Sequence, residues 1–167
     1  MFPLKPLSFD AIPAALSKAE RYRLLNEPDQ AESICLDILA AEPDNRDALV
    51  MLLRALTDQF VTGDGQLVAR AQALVTRLDS AYERAYFSGL VAERRARAIL
   101  ERGGHNRLIS AGNWMREAMV HYERAESDRP HGNDEARLRW NACARFLNGL
   151  PEPADQDGEP ALPVMLE

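Results

Sequence analysis

The chain is 167 residues long, 46% hydrophobic and 28% charged, which is the composition of a globular protein large enough to bury a core. Its net charge is −6 and it has no apolar run of ~18 residues or more, so we expect neither a membrane span nor bulk attraction to nucleic acid. Residues 1–16 lack the basic start and continuous apolar stretch of a secretion signal, which predicts a cytoplasmic protein. Only Lys5 and Lys18 are lysines among 20 basic residues, a bias typical of a GC-rich, bacterial genome.

Apolar periodicity divides the chain into seven predicted helices, so the sequence predicts an all-α fold. The whole chain therefore divides into three segments: an N-terminal extension (1–9), a helical domain (10–150) and an acidic, Pro-rich tail (151–167). Helices three and four carry the apolar stripes from Leu49 to Phe60 and from Leu67 to Leu78. The other five helices are predicted over residues 11–26, 28–41, 81–102, 108–127 and 133–150.

Turn and capping residues separate these helices. Asp10 is the predicted cap of helix one, and Asp44 or Asn45 that of helix three. Gly63-Asp64-Gly65 predicts the turn before helix four, and Gly103-Gly104 the end of helix five. Asn133 is the predicted cap of helix seven.

One pattern occurs twice, near the two ends of the helical domain. A small residue is followed after four positions by a larger one and after a further eight by proline, in the sets Ala31, Cys35, Pro43 and Ala118, Tyr122, Pro130. With Ala19 and Tyr22 upstream of the first set, the pattern resembles the tetratricopeptide repeat (TPR). The offset of 87 residues between the two sets is not a multiple of the 34-residue repeat. The resemblance implies degenerate antiparallel helix pairs in a short right-handed α-solenoid.

The resemblance also implies a function. In such repeats the first helix of each pair lines a groove that binds a peptide or protein segment, so we expect a non-enzymatic interaction scaffold whose partner is unknown. The usual groove positions correspond to Arg23, Arg54, Tyr86, Phe87, Arg94, Arg137, Asn141 and Arg145. The last three recur every four residues, and such a row suits carboxylate recognition, although a solvated helix face has the same pattern.

An arginine-rich segment, residues 93–107, suggests an alternative function. Its net charge of +3 is typical either of a solvated helix face or of a surface for nucleic acid or an acidic regulator. The arginines concerned are Arg94, Arg95, Arg97, Arg102 and Arg107.

Motifs for catalysis, cofactors or metals were not found in the sequence. The two cysteines, Cys35 and Cys143, fall in apolar helical patterns and are predicted to be buried free thiols. The tail carries −5 of the total charge, a composition that favours disorder. Its apolar run, residues 161–166, offers an alternative: it could dock into a groove of its own or a neighbouring copy and so cause self-association.

Overall fold

The computed structural model describes residues 2–62 and 65–150, and these form seven α-helices without any β-strand. A short 3-10 helix, Phe9–Ala11, precedes the first of them. The helices are α1 (Ile12–Leu24), α2 (Pro28–Ala41), α3 (Arg46–Asp58), α4 (Gly65–Val75), α5 (Ala81–Arg102), α6 (Arg107–Ser127) and α7 (Glu135–Asn148). The predicted all-α class and the seven predicted helices are confirmed. The predicted turn at 63–64 and the tail at 151–167 lie outside the described residues.

The predicted capping residues are found at α3 and α5, whereas the caps of α1 and α7 differ from the prediction. The side chain of Asn45 accepts a hydrogen bond from the backbone N–H of Ala48 at 2.9 Å, as expected for the cap of α3. The cap position of α7 is Asp134 and not the predicted Asn133, which lies one residue earlier and accepts a hydrogen bond from the N–H of Glu135 at 3.0 Å. Gly103 ends α5 with a φ of 77°, a conformation that favours glycine.

Asp10 is not the cap of α1, so that prediction is wrong. Asp10 lies inside the 3-10 helix, where the N–H of Ala11 donates to the carbonyl of Ser8 at 3.0 Å. A capping residue needs extended backbone, and here the chain is already turning when it reaches Asp10. Ala11 precedes α1 without any side-chain cap.

The helices pack as neighbours along the chain, each against the next. The most extensive interface joins α5 and α6, the two longest helices. Helix α1 also contacts α3, and α3 contacts α5, so these three helices lie side by side. Side chains from α1, α3 and α5 can therefore meet on one surface.

Small residues from the repeated pattern allow this close packing. Ala19, Ala31 and Ala118 are completely buried, as are Cys35 and Tyr122. The ring of Tyr122 lies against Gly89 of α5, where a Cβ atom would be 2.6 Å from Cε1 of the ring. Glycine at position 89 therefore lets the backbone of α5 come close enough for Tyr122 to fill the interface.

Candidate functional site

A cavity of about 170 Å³ lies among α1, α3, α5 and α7, and an arginine from each of these helices lines it. The four arginines are Arg23, Arg54, Arg94 and Arg139. Thr57, Tyr86, Leu90 and Glu135 complete the lining. A site with four guanidinium groups and one carboxylate in its wall is suited to an anionic ligand.

A larger groove of about 700 Å³ continues from this cavity and shares three of its residues, Arg23, Thr57 and Arg94. Its walls are mainly polar and include Asp58, Gln59 and the exposed end of α5 around Glu101. Cavity and groove together form an elongated depression along α1, α3 and α5. Such a shape suits a polypeptide segment better than a small compact ligand.

Where the cavity meets the groove, two of its arginines belong to an ion cluster centred on Asp58, a groove residue; we call it the Asp58 cluster (Arg23, Asp58, Arg94). The Nε atom of Arg23 donates to Oδ2 of Asp58 at 2.7 Å, and Nη2 of Arg94 is 3.5 Å from Oδ1. The Nε atom of Arg94 is buried and lacks a hydrogen-bond partner within the described part of the chain. Leaving such a donor unsatisfied costs roughly 1–3 kcal/mol. Arg94 therefore has an unused donor at a place where the wall is already positively charged.

Arg54 is the most open of the four arginines. Its side chain is exposed, and among the described residues no carboxylate pairs with it. The guanidinium carbon is 5.9 Å from the ring centroid of Phe87, which supports it from below. Phe87 itself is only 4% exposed and packs edge-on against Tyr86, with 5.1 Å between ring centroids. Arg54 thus presents a charge that no carboxylate of residues 2–62 and 65–150 neutralises.

Tyr86 contributes a hydroxyl group to the cavity. This hydroxyl donates to Oε2 of Glu135 at 3.3 Å. Burial raises the pKa of Tyr86, and the nearby charge of Arg139 opposes that rise only in part. Tyr86 therefore stays protonated at neutral pH and remains a hydrogen-bond donor.

Behind the cavity lies a completely buried carboxylate, Glu93, at the centre of what we call the Glu93 cluster (Glu93, Arg97, Tyr122, Arg139). Arg97 donates to Oε1 of Glu93 from Nε and Nη2 at 3.1 and 2.8 Å. The hydroxyl of Tyr122 donates to Oε2 at 2.8 Å, and Nη1 of Arg139 lies 3.2 Å from Oε1. The cluster joins α5, α6 and α7 through one carboxylate.

The electrostatics of the Glu93 cluster keep Arg139 charged and Tyr122 neutral. Burial by itself would lower the pKa of Arg139, but Glu93 and the two neighbouring tyrosines outweigh burial and raise it. Burial raises the pKa of Tyr122, and the negative charge of Glu93 raises it further. Arg139 therefore reaches the cavity from a fixed position as a permanent cation.

The structure gathers some of the predicted groove residues and separates others. Arg23, Arg54, Tyr86 and Arg94 all line the cavity, and Phe87 lies beneath Arg54. The three predicted residues of α7, Arg137, Asn141 and Arg145, are not among the lining residues.

Helix α7 is rotated relative to the predicted groove. Arg137 turns towards α6, where its Nε donates to Glu126 at 2.6 Å. Arg145 is exposed, and Asn141 is half-buried. Helix α7 instead reaches the cavity through Glu135 and Arg139, which are one turn apart and which the sequence interpretation missed.

The arginines of the 93–107 segment do not share one face. Arg94 and Arg97 belong to the two ion clusters, and Arg95 stacks over Trp114 with 4.0 Å to the ring centroid. Arg102 donates to backbone carbonyls of Phe60 and Val61, with 2.8 Å between its Nε and the oxygen of Val61. Arg107 is exposed at the first position of α6. Most of this charge is engaged within the protein.

Both cysteines are buried free thiols, as predicted. Burial raises the pKa of Cys35 to about 12 and that of Cys143 to about 11, so neither is a reactive thiolate at neutral pH. Within residues 2–62 and 65–150, no three His, Cys, Asp or Glu side chains are grouped so as to hold a metal ion. The helices of the same ranges include none with the length and apolar character that a membrane span requires.

Comparison with known proteins does not place this chain in a family. No family model matches it, and no curated protein or solved structure shows significant similarity to it. Its function is therefore inferred from the chemistry of the arginine-lined cavity.

Proposed function

We propose that this chain is a non-enzymatic, TPR-like scaffold that binds an acidic segment of another protein along α1, α3 and α5. The observation that carries the proposal is the convergence of Arg23, Arg54 and Arg94 with Arg139 in one cavity, each from a different helix. The groove that continues from the cavity gives room for an extended segment on either side of the anchoring anion. The side-by-side packing of α1, α3 and α5 supports a short right-handed α-solenoid with this groove on its inner surface.

Recognition would rest on charge-assisted hydrogen bonds to carboxylate groups of the partner. Guanidinium groups bind carboxylates through two parallel N–H donors, a geometry that lysine does not offer. Arg54 lacks a carboxylate partner among the described residues, so it is the arginine whose charge is most available to a ligand. Tyr86 lies beside it with a neutral hydroxyl, whose proton is donated to Glu135.

Affinity purification with mass spectrometry tests the proposal when wild type is compared with Arg54→Glu and Arg145→Glu. Both substitutions reverse an exposed arginine, but only Arg54 lines the cavity. We expect Arg54→Glu to lose the partner that wild type and Arg145→Glu retain. Equal recovery with both variants would show that the cavity is not the binding site.

A nucleic-acid or regulator surface on residues 93–107 is the alternative function. It has less support because Arg94, Arg95, Arg97 and Arg102 are engaged by groups of the chain itself. Binding to mixed-sequence RNA and DNA at low and high salt distinguishes the two functions. Affinity that falls steeply with salt and is lost in Arg95→Gln/Arg107→Gln would favour the alternative.

Self-association through the tail is a separate part of the proposal. The apolar run at 161–166 supports it. Removal of residues 151–167, followed by measurement of oligomeric mass and melting temperature, is the test. An unchanged mass and melting temperature would exclude this role.

A further inference from the structure

Around the cavity, the protein's own charges do not balance. The two clusters, together with Arg54 and Glu135, contain five arginines and three carboxylates, a surplus of two positive charges; four of these arginines line the cavity, and Arg97 lines the adjoining groove. The carboxylates are Asp58, Glu93 and Glu135, and each already contacts a donor of the protein. A ligand group with a charge near −2 would neutralise the surplus, whereas one carboxylate would neutralise half of it.

The guanidinium groups of the cavity come from different helices. Arg54 belongs to α3 and is exposed, whereas Arg94 belongs to α5 and its Nε atom has no hydrogen-bond partner among the residues that the structure describes. Arg139 belongs to α7 and is oriented by Glu93 through Nη1. Donors from three helices suit a group with several oxygens pointing in different directions, which a planar carboxylate does not have.

Cavity size is compatible with such a group. At about 170 Å³ the cavity is well above the roughly 15 Å³ that a single water needs, so it has room for a phosphate head and part of the side chain that carries it. A phosphate monoester carries a charge of about −1.5 to −2 at neutral pH and has three acceptor oxygens.

We propose that the cavity lined by Arg54, Arg94 and Arg139 is a binding site for a phosphate monoester on a side chain of the partner segment. This inference rests on the proposed function, because the phosphate is carried by the polypeptide that lies in the groove. Phosphorylation of the partner would then increase its affinity for this scaffold.

Three capped amino acids test the site directly: N-acetyl phosphoserine amide, N-acetyl glutamate amide and N-acetyl serine amide. Titration into the full chain is followed by NMR of the arginine Nε–H signals at constant chloride concentration. We expect the phosphoserine compound to shift the signals of Arg54 and Arg94 and to bind about tenfold more tightly than the glutamate compound. Equal affinity for these two compounds, or no shift with either, would overturn the inference.

Two substitutions and one control locate the binding. Arg54→Gln should weaken phosphoserine binding by about tenfold, whereas Arg145→Gln, an exposed arginine outside the cavity, should leave it unchanged. Asp58→Asn removes a competing carboxylate and should strengthen binding. Unchanged affinity in both Arg54→Gln and Asp58→Asn would contradict the assigned site even if one variant were less stable.

Phosphatase treatment of the lysate before affinity purification separates the inference from the function on which it rests. Loss of the partner after treatment, together with its loss in Arg54→Glu, supports both. A partner that needs Arg54 but survives phosphatase treatment would leave the acidic-segment scaffold intact and refute the phosphate site.

Discussion

The Asp58 cluster and the Glu93 cluster each place one carboxylate between two arginines, but they enclose that carboxylate to different degrees. The Asp58 side chain is 19% exposed, and the Nε donor of Arg94 lacks a partner in the described part of the chain. Glu93 is completely buried, and a tyrosine hydroxyl completes its hydrogen bonds. The same side-chain types thus form an open cluster beside the groove and a closed one inside the helix packing.

Because of this difference in burial, we expect the Glu93 cluster to affect mainly stability and the Asp58 cluster to affect mainly binding. A buried carboxylate whose partners are all in place is costly to disturb, because removing it leaves polar groups without compensation. A partly exposed ion pair contributes little to stability and can exchange partners with a ligand. We therefore expect substitutions in the Glu93 cluster to change folding and substitutions in the Asp58 cluster to change recognition.

Glu93→Gln should have the largest effect on stability, because it removes the charge that three donors share. We expect a loss of about 3 kcal/mol in the free energy of unfolding, measured by urea denaturation. Glu101→Gln, at an exposed position of the same helix, is the control and should change stability by less than about 0.5 kcal/mol. Similar losses in the two variants would mean that Glu93 has no special structural role.

Gly89→Ala should disturb the Glu93 cluster indirectly, because the added methyl group would displace the ring of Tyr122, whose hydroxyl donates to Glu93. The added Cβ would be 2.6 Å from that ring, so we expect a loss of about 2 kcal/mol in the free energy of unfolding. Gly112→Ala in α6 meets its nearest atom only at 3.4 Å, on the mobile end of Arg116. There the better helix propensity of alanine should leave stability unchanged or raise it by up to about 1 kcal/mol. A Gly112→Ala loss as large as that of Gly89→Ala would contradict this account.

The two buried thiols should make stability fall at alkaline pH. Their folded pKa values, about 12 for Cys35 and about 11 for Cys143, lie above the ordinary 9.0 of an unfolded thiol. Above pH 9 the unfolded chain releases these protons while the folded chain retains them, so the free energy of unfolding decreases as pH rises. We expect about 1 kcal/mol per cysteine between pH 9 and pH 10.

Urea denaturation at several pH values measures this slope, and Cys35→Ala and Cys143→Ala should each flatten it. Only the slope is diagnostic, because both variants also leave a small cavity in the core. Burial is the main cause of the raised pKa of Cys143; the charge of Glu93 raises it further, and Arg97 and Arg139 oppose the rise. An unchanged slope in both variants would show that the thiols ionise equally in the folded and unfolded chain.

Asp58→Asn should have the smallest effect on folding. Its ion pairs are partly exposed, so we expect a loss of less than about 1 kcal/mol in the free energy of unfolding. A loss comparable to that of Glu93→Gln would remove the distinction between the two clusters.

Much of the fold could be predicted because the sequence marks helix ends with residues that have little conformational choice. Pro28 begins α2, Asn45 caps α3 and Gly103 ends α5 at the expected places. The cap of α1 differs from the prediction because the preceding 3-10 turn leaves no trace in the apolar periodicity.

Within the site, residues of α1, α3 and α5 could be predicted, but those of α7 could not. The apolar stripe of α7, through Ala136 and Cys143, fixes which side is inside but not which flank turns towards α5. The packing of α7 against the other helices places Glu135 and Arg139 in the cavity lining, whereas Arg137 and Arg145 lie outside it.

Glu93 could have been found from the spacing of its neighbours. Tyr86, Gly89 and Ala96 are buried, and Glu93 falls among them at helical spacing, on the inner face of α5. It was overlooked because the arginines that follow it make the segment resemble a solvated surface. A single carboxylate within an apolar stripe indicates a buried polar cluster, whatever charges follow it in the sequence.

The shared carboxylate of Glu93 also affects how the end of the helical domain opens. The last helix of a helical array usually frays independently of the rest, since it has a neighbour on one side only. Here α7 cannot detach without withdrawing Arg139 from a buried acid that α6 also holds through Tyr122. Backbone amides in the middle of α7 should therefore exchange with deuterium in the same cooperative opening as those of α5 and α6, so that residues 81–148 behave as one thermodynamic unit.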